Sequence, residues 1–110
     1  MNNILNYYNG WPNNGPYINC LNKIELLLNK YLINFPKISN KFTVLFDIDD
    51  TLLYTYKGEI INNKSKYLLP IKQICNILKL CNKLKYKIII ITARPKESHE
   101  WSIKNLKKYN

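Results

Sequence analysis

The stretch Phe46-Asp47-Ile48-Asp49-Asp50-Thr51-Leu52 places three carboxylates within four positions, in a chain that has only seven acidic residues. They follow the apolar run Phe42 to Phe46. Carboxylates this close repel one another and resist losing water. The cluster therefore needs a cation, a proton or full exposure. The spacing is wrong for an EF-hand loop: Thr51 takes the third ligand position and Leu52 stands where that loop requires Gly. Zinc is disfavoured because no His or Cys lies nearby. A hard cation that prefers oxygen ligands fits, with Mg²⁺ the first choice and a phosphate its natural remaining partner.

The elements that must position these acids can be read from periodicity. Phe42 to Asp47 is a short, continuously apolar, β-rich run, which predicts a central strand buried on both faces. "LLYTYKGEII" reads as a hairpin around Lys57-Gly58, and "NNKSK" as a polar loop. Pro70 opens a helix with Ile71, Ile74, Cys75, Leu78 and Cys81 on one face, widened by Ile77, Leu80 and Leu84. "YKIIIIT" predicts a second continuous β-branched strand that ends at Thr92, and a last helix follows over about Lys96 to Lys108. Before the first strand, residues 1–16 read as an irregular arm anchored by Trp11. Ile18, Leu21, Ile24, Leu28 and Tyr31 then mark a packing helix over 17–34. A helix between two apolar strands implies a right-handed parallel crossover, so the expected fold class is α/β. In such sheets ligands bind at the carboxyl ends of the strands, where Asp47 and Thr92 both lie.

These residues resemble a known family. "FDIDDTL" resembles the first motif of the haloacid dehalogenase superfamily, the DxDxT phosphatases and phosphotransferases. "IIIITAR" resembles its second motif, a hydrophobic strand ending in Thr or Ser. The resemblance covers residues 42–109 of a single domain spanning 17–110. It implies a partial Rossmann-like core with a flap hairpin and flanking helices. "DIDDTL" and "TARP" look most like the class B acid phosphatases, whereas the short gap between the motifs looks more like the polynucleotide 3′-phosphatases. The resemblance assigns Asp47 as nucleophile, giving an aspartyl-phosphate. It makes Asp49 the acid that protonates the leaving oxygen and then activates water. Mg²⁺ would be held by the Asp47 carboxylate and the main-chain carbonyl of Asp49. Thr92, with backbone N–H groups near Ala93, would hold the phosphoryl oxygens. Arg94 either reaches the phosphate or packs at the rim. Asp50 reads as exposed, Thr51 as a turn stabiliser acting through its hydroxyl, and His99 as solvated.

The family's third motif, a Lys, and its fourth, one or two Asp at a later strand end, are not found after Thr92. Weak activity, or none, is therefore expected of the isolated chain, and a partner chain or oligomer is a candidate to complete the small sheet. The expected partner is a phosphorylated small molecule or nucleotide. One alternative is a catalytically degenerate binding or interaction protein. The other is a nucleic-acid-end phosphatase fragment.

The net charge of +10 invites nucleic acid. The excess is mostly Lys, however, alongside abundant Asn, Ile and Tyr, residues that share A/T-rich codons, and there is a single arginine. No apolar run reaches bilayer length and no secretory leader is evident, so an intracellular, cytoplasmic protein without a membrane span is expected. Cys20, Cys75 and Cys81 read as reduced core residues.

Overall fold

The computed structural model describes residues 7–34, 43–55, 60–62 and 65–108, with backbone alone at 60–62 and 65–67. Two β-branched runs form its centre. Strand β1 (Thr43–Asp47) and strand β4 (Lys87–Ile91) pair in parallel, with Thr43 opposite Lys87 and Asp47 opposite Ile91. Helix α2 (Lys72–Lys83) lies between them in sequence and provides the expected parallel crossover. Lys85, in the left-handed region at φ 65°, turns the chain after α2. Helix α1 (Pro16–Asn34) precedes the sheet, and helix α3 (His99–Lys107) follows it after a 3-10 turn over Lys96–Ser98. The fold class is α/β.

All three helices pack on one side of the sheet. Phe46, Ile48, Leu52, Leu53, Leu68, Ile77 and Cys81 form a buried cluster. Leu28 and Leu32 of α1, Leu78 of α2, and Trp101 and Leu106 of α3 lie against it, as do Val44 and Ile88 of the strands. Paired residues of a parallel ladder share a face, and successive residues alternate. Leu45 and Ile89 therefore occupy the opposite side with Ile91. They are 60%, 39% and 53% exposed. This corrects the expectation that the first strand is buried on both faces. A continuous apolar run cannot tell whether helices cover both sides of a sheet or one, and here only one is covered among the described residues.

A second cluster joins the N-terminal arm to the domain. Ile18 and Leu21 of α1 are buried with Tyr54 and Ile71, and Trp11 and Tyr17 pack against them. The Trp11 and Tyr54 rings meet edge to face at 5.1 Å, so Trp11 anchors the arm as expected. Ile24 and Tyr31, placed by periodicity on the packing face of α1, are exposed. That face is narrower than the sequence suggests because the contact is carried by Ile18, Leu21, Leu28 and Leu32.

The hairpin differs from its predicted place. Strands β2 (Ile60–Asn62) and β3 (Ser65–Tyr67) pair antiparallel, so part of the stretch read as a polar loop is a strand. Lys57-Gly58, the expected turn, lies outside the described residues. Leu52 and Leu53, read as the first arm, are both buried, Leu52 in a turn and Leu53 in isolated bridges with Asp49 and Pro70. Pro70 does not open α2. It forms an isolated bridge with Leu53, and the helix begins two residues later. Of the cysteines, Cys81 is buried and Cys75 half-buried, but Cys20 is exposed, which corrects its reading as a core residue; all three are free thiols.

Candidate functional site

The acids resolve their mutual repulsion by turning apart. After Asp47 the chain leaves the ladder, and the carbonyl of Ile48 accepts from the amides of Thr51, Leu52 and Leu53 at 3.2, 2.9 and 3.0 Å. That triple acceptance forms a tight loop and drives Leu52 and Leu53 into the core. Asp50 sits in the loop at φ 59°, a left-handed conformation that Asp tolerates better than most residues. Its carboxylate accepts from the Thr55 amide at 3.0 Å and from the Thr55 hydroxyl at 2.7 Å. Asp50 thus ties the loop shut, a more definite role than simple exposure. Thr51 contributes its amide to the turn, whereas the sequence reading gave that job to its hydroxyl.

Asp49 meets a cation. The Arg94 guanidinium donates to both of its carboxylate oxygens: Nη2 and Nε reach Oδ1 at 2.5 and 3.2 Å, and Nε reaches Oδ2 at 3.1 Å. Arg94 is itself fixed. Its Nη1 donates to the Ser102 hydroxyl at 2.8 Å, Ser102 donates to the Ser98 carbonyl at 2.8 Å, and the guanidinium carbon lies 5.0 Å from the Trp101 ring centroid. The Arg94 side chain is 9% exposed and that of Asp49 is 40% exposed. Arg94 therefore connects the loop after β1 to helix α3. Neither a rim contact nor a free phosphate ligand describes this position fully.

Asp47 is left open. Its carboxylate is exposed at the end of β1 and has no hydrogen-bond or ion-pair partner among the described residues. Its register partner is Ile91, the residue before Thr92. Asp47 and Thr92 thus stand at neighbouring carboxyl ends of parallel strands, as the topology demanded. They differ in direction. Alternation puts Asp47 on the open side of the sheet with Leu45, whereas Thr92 lines a hollow on the helical side. The Arg94 amide donates to Thr92 Oγ1 at 3.1 Å, which leaves the hydroxyl's own proton available to an acceptor beyond the strand end.

The donors bear on the expected Mg²⁺. Among the described residues no three His, Cys, Asp or Glu side chains come together as a metal cage. Arg94 occupies the Asp49 carboxylate and Thr55 that of Asp50. The Asp47 carboxylate remains, together with the Asp49 carbonyl, which accepts no hydrogen bond among the described residues. One carboxylate and one carbonyl fit an ion that keeps several waters and arrives with a phosphate, the usual habit of Mg²⁺.

The hollow beside Thr92 has a volume of about 230 Å³. Ile48, Ile90, Ile103 and Leu106 give it apolar walls, and Arg94, Lys96 and His99 border it with basic groups. His99, read from sequence as solvated, is exposed and lines this space. Sequence reasoning missed two polar residues of α3 that are buried, Ser102 and Asn105. Asn105 accepts from the Leu68 amide at 2.8 Å and donates to the Leu68 carbonyl at 3.1 Å. Their only sequence signal was position: both fall on the inward side of a helix marked by Trp101 and Leu106.

Comparison of the chain with family models, with curated proteins and with solved structures gives no match. No helix among the described residues is long and apolar enough to cross a membrane.

Proposed function

We propose that this chain is a phosphomonoester hydrolase of haloacid dehalogenase type that acts through Asp47. The observation that carries the reading is the open carboxylate of Asp47 at the end of β1, one register step from Thr92 at the end of β4. An acid that nothing among the described residues engages is free to attack. Asp47 would displace the ester oxygen from phosphorus and form an aspartyl-phosphate, which water then hydrolyses. Thr92 would donate its hydroxyl to a phosphoryl oxygen, and the amides near Ala93 would add to that cradle. The Asp47 carboxylate and Asp49 carbonyl would hold Mg²⁺, which supplies charge neutralisation between the anionic phosphate and its anionic attacker. The Arg94 fork fixes where Asp49 can act. With both oxygens engaged, Asp49 reaches a leaving oxygen only after Arg94 lets go, so slow turnover is expected.

The test is hydrolysis of para-nitrophenyl phosphate with and without Mg²⁺. Turnover should require the ion and should disappear in Asp47→Asn. Activity that survives this substitution excludes the mechanism.

The Arg94–Asp49 pair also favours a second reading, a degenerate relative that binds phosphate without turning it over. The two separate in a thermal-shift experiment with Mg²⁺ and beryllofluoride. Stabilisation by the mixture in a chain that hydrolyses nothing selects the binding protein.

A further inference from the structure

The hollow beside Thr92 has a construction that bears on the ester's organic half. Its lining joins Thr92, Arg94 and Lys96, which follow β4 in sequence, to the apolar walls Ile103 and Leu106 of α3 and Ile90 of β4. A hydrophilic sugar or glycerol unit would lose water against those walls and find few hydrogen bonds in return. An apolar ring would gain from the same surface. The volume, about 230 Å³, accommodates a single ring and lies below the roughly 300–1,000 Å³ usual for drug-sized ligands. Lys96, exposed at the border, adds positive charge for an anionic head, and the exposed His99 adds an imidazole that can hydrogen-bond it.

We infer that the hollow is the seat of the ester's organic group, and that the ligands of this chain are monophosphates of small aromatic alcohols. The inference rests on the phosphate reading of the strand ends, and it specifies what lies next to the phosphate. Asp47 leaves on the open side and Thr92 on the helical side, so the phosphoryl group would lie beyond the two strand ends, where both sides are within reach, with the ring between β4 and α3. The reading requires no movement of the Arg94 fork, because Arg94 borders the hollow while it holds Asp49.

Phosphonates test this without any turnover. Phenylphosphonate and methylphosphonate share the charged head and differ in the ring. In calorimetric titrations of the full chain in the presence of Mg²⁺, phenylphosphonate should bind about ten- to a hundredfold more tightly, the ratio given by burying one ring's apolar surface. Ile103→Gln should remove most of that ratio and leave the affinity for methylphosphonate within about twofold. Ile103 is 38% exposed, so the substitution tests the wall with little risk to folding, and a circular dichroism melt checks that. Equal affinities for the two phosphonates overturn the inference while leaving the phosphate reading intact. So does a preference for the ring that Ile103→Gln does not change. Failure of both phosphonates and of inorganic phosphate to bind overturns the phosphate reading itself and the inference with it.

Discussion

Asp49 and Arg94 are unequal partners, and burial decides which of them the protein can lose. Arg94 is nearly enclosed, whereas Asp49 keeps substantial access to water. Asp49→Asn would leave a guanidinium in a dry site with only Ser102 and the Trp101 ring, which costs about 1–3 kcal/mol after allowance for the partial exposure of the pair. Arg94→Met would leave a carboxylate that water can solvate, and its stem can still pack on Trp101. That loss should stay below about 1 kcal/mol. Urea denaturation of the two variants measures the difference, and an equal or reversed order would show that the pair is not organised around the buried cation. Asp50 invites a similar comparison. Asn accepts the left-handed backbone and retains one acceptor oxygen for Thr55, so Asp50→Asn should be close to neutral. Asp50→Ala gives up both bonds and strains φ, at about 1–3 kcal/mol. The acids were legible from the sequence as a group with a problem to solve. Their separate solutions were not, because Arg94 lies 45 residues from Asp49 and no local spacing announces a pair so distant.

Elements that rest on local chemistry were legible, and those that rest on tertiary competition were not. The runs Thr43–Asp47 and Lys87–Ile91 are strands because β-branched side chains suit a pleated surface. Helix α2 follows from its 3.6-residue pattern. Leu52 and Leu53 read as a strand arm by hydrophobicity, yet the Ile48 carbonyl gathers three amides and bends them inward. The described strand pair lies at Ile60–Asn62 and Ser65–Tyr67. The attachment of α3 was also hidden, because it depends on Asn105, a polar residue that sequence reasoning leaves outside. Asn105 satisfies the amide and the carbonyl of Leu68 together. Asn105→Ala should cost about 1–3 kcal/mol for the two bonds. Asn105→Asp should be no better, since its second oxygen would face the Leu68 carbonyl. Hydrogen exchange at the Leu68 amide reads the clamp directly. Protection there that is unchanged in Asn105→Ala would mean that α3 is held without this clamp, by Trp101, Leu106 and the Arg94–Ser102 bond.

Across the whole molecule, two apolar clusters divide the work. One backs the sheet and positions the strand ends, and the other ties the arm and α1 to Tyr54 and Ile71. The second is rich in phenols, and that gives it a pH signature. Burial, with smaller contributions from neighbouring groups, pushes Tyr17 and Tyr54 up to about 12 from an ordinary value of 10.0. A raised folded value means that the folded state keeps these protons longer than the unfolded chain does. Their contribution is complete below pH 10 and is lost between 10 and about 12, as the unfolded phenols ionise first. Stability should fall over that window, and the arm–helix cluster should open before the sheet cluster does. Difference absorbance of phenolate should show Tyr17 and Tyr54 titrating late, with Tyr7, raised by a hydrogen bond with Cys20, adding to the late phase. Tyr54→Phe keeps the ring against Trp11 and removes one ionisation, so it should move the alkaline unfolding midpoint upward. Were all nine to titrate together near pH 10, or were Tyr54→Phe to leave the midpoint in place, alkaline opening would have to begin elsewhere than this cluster.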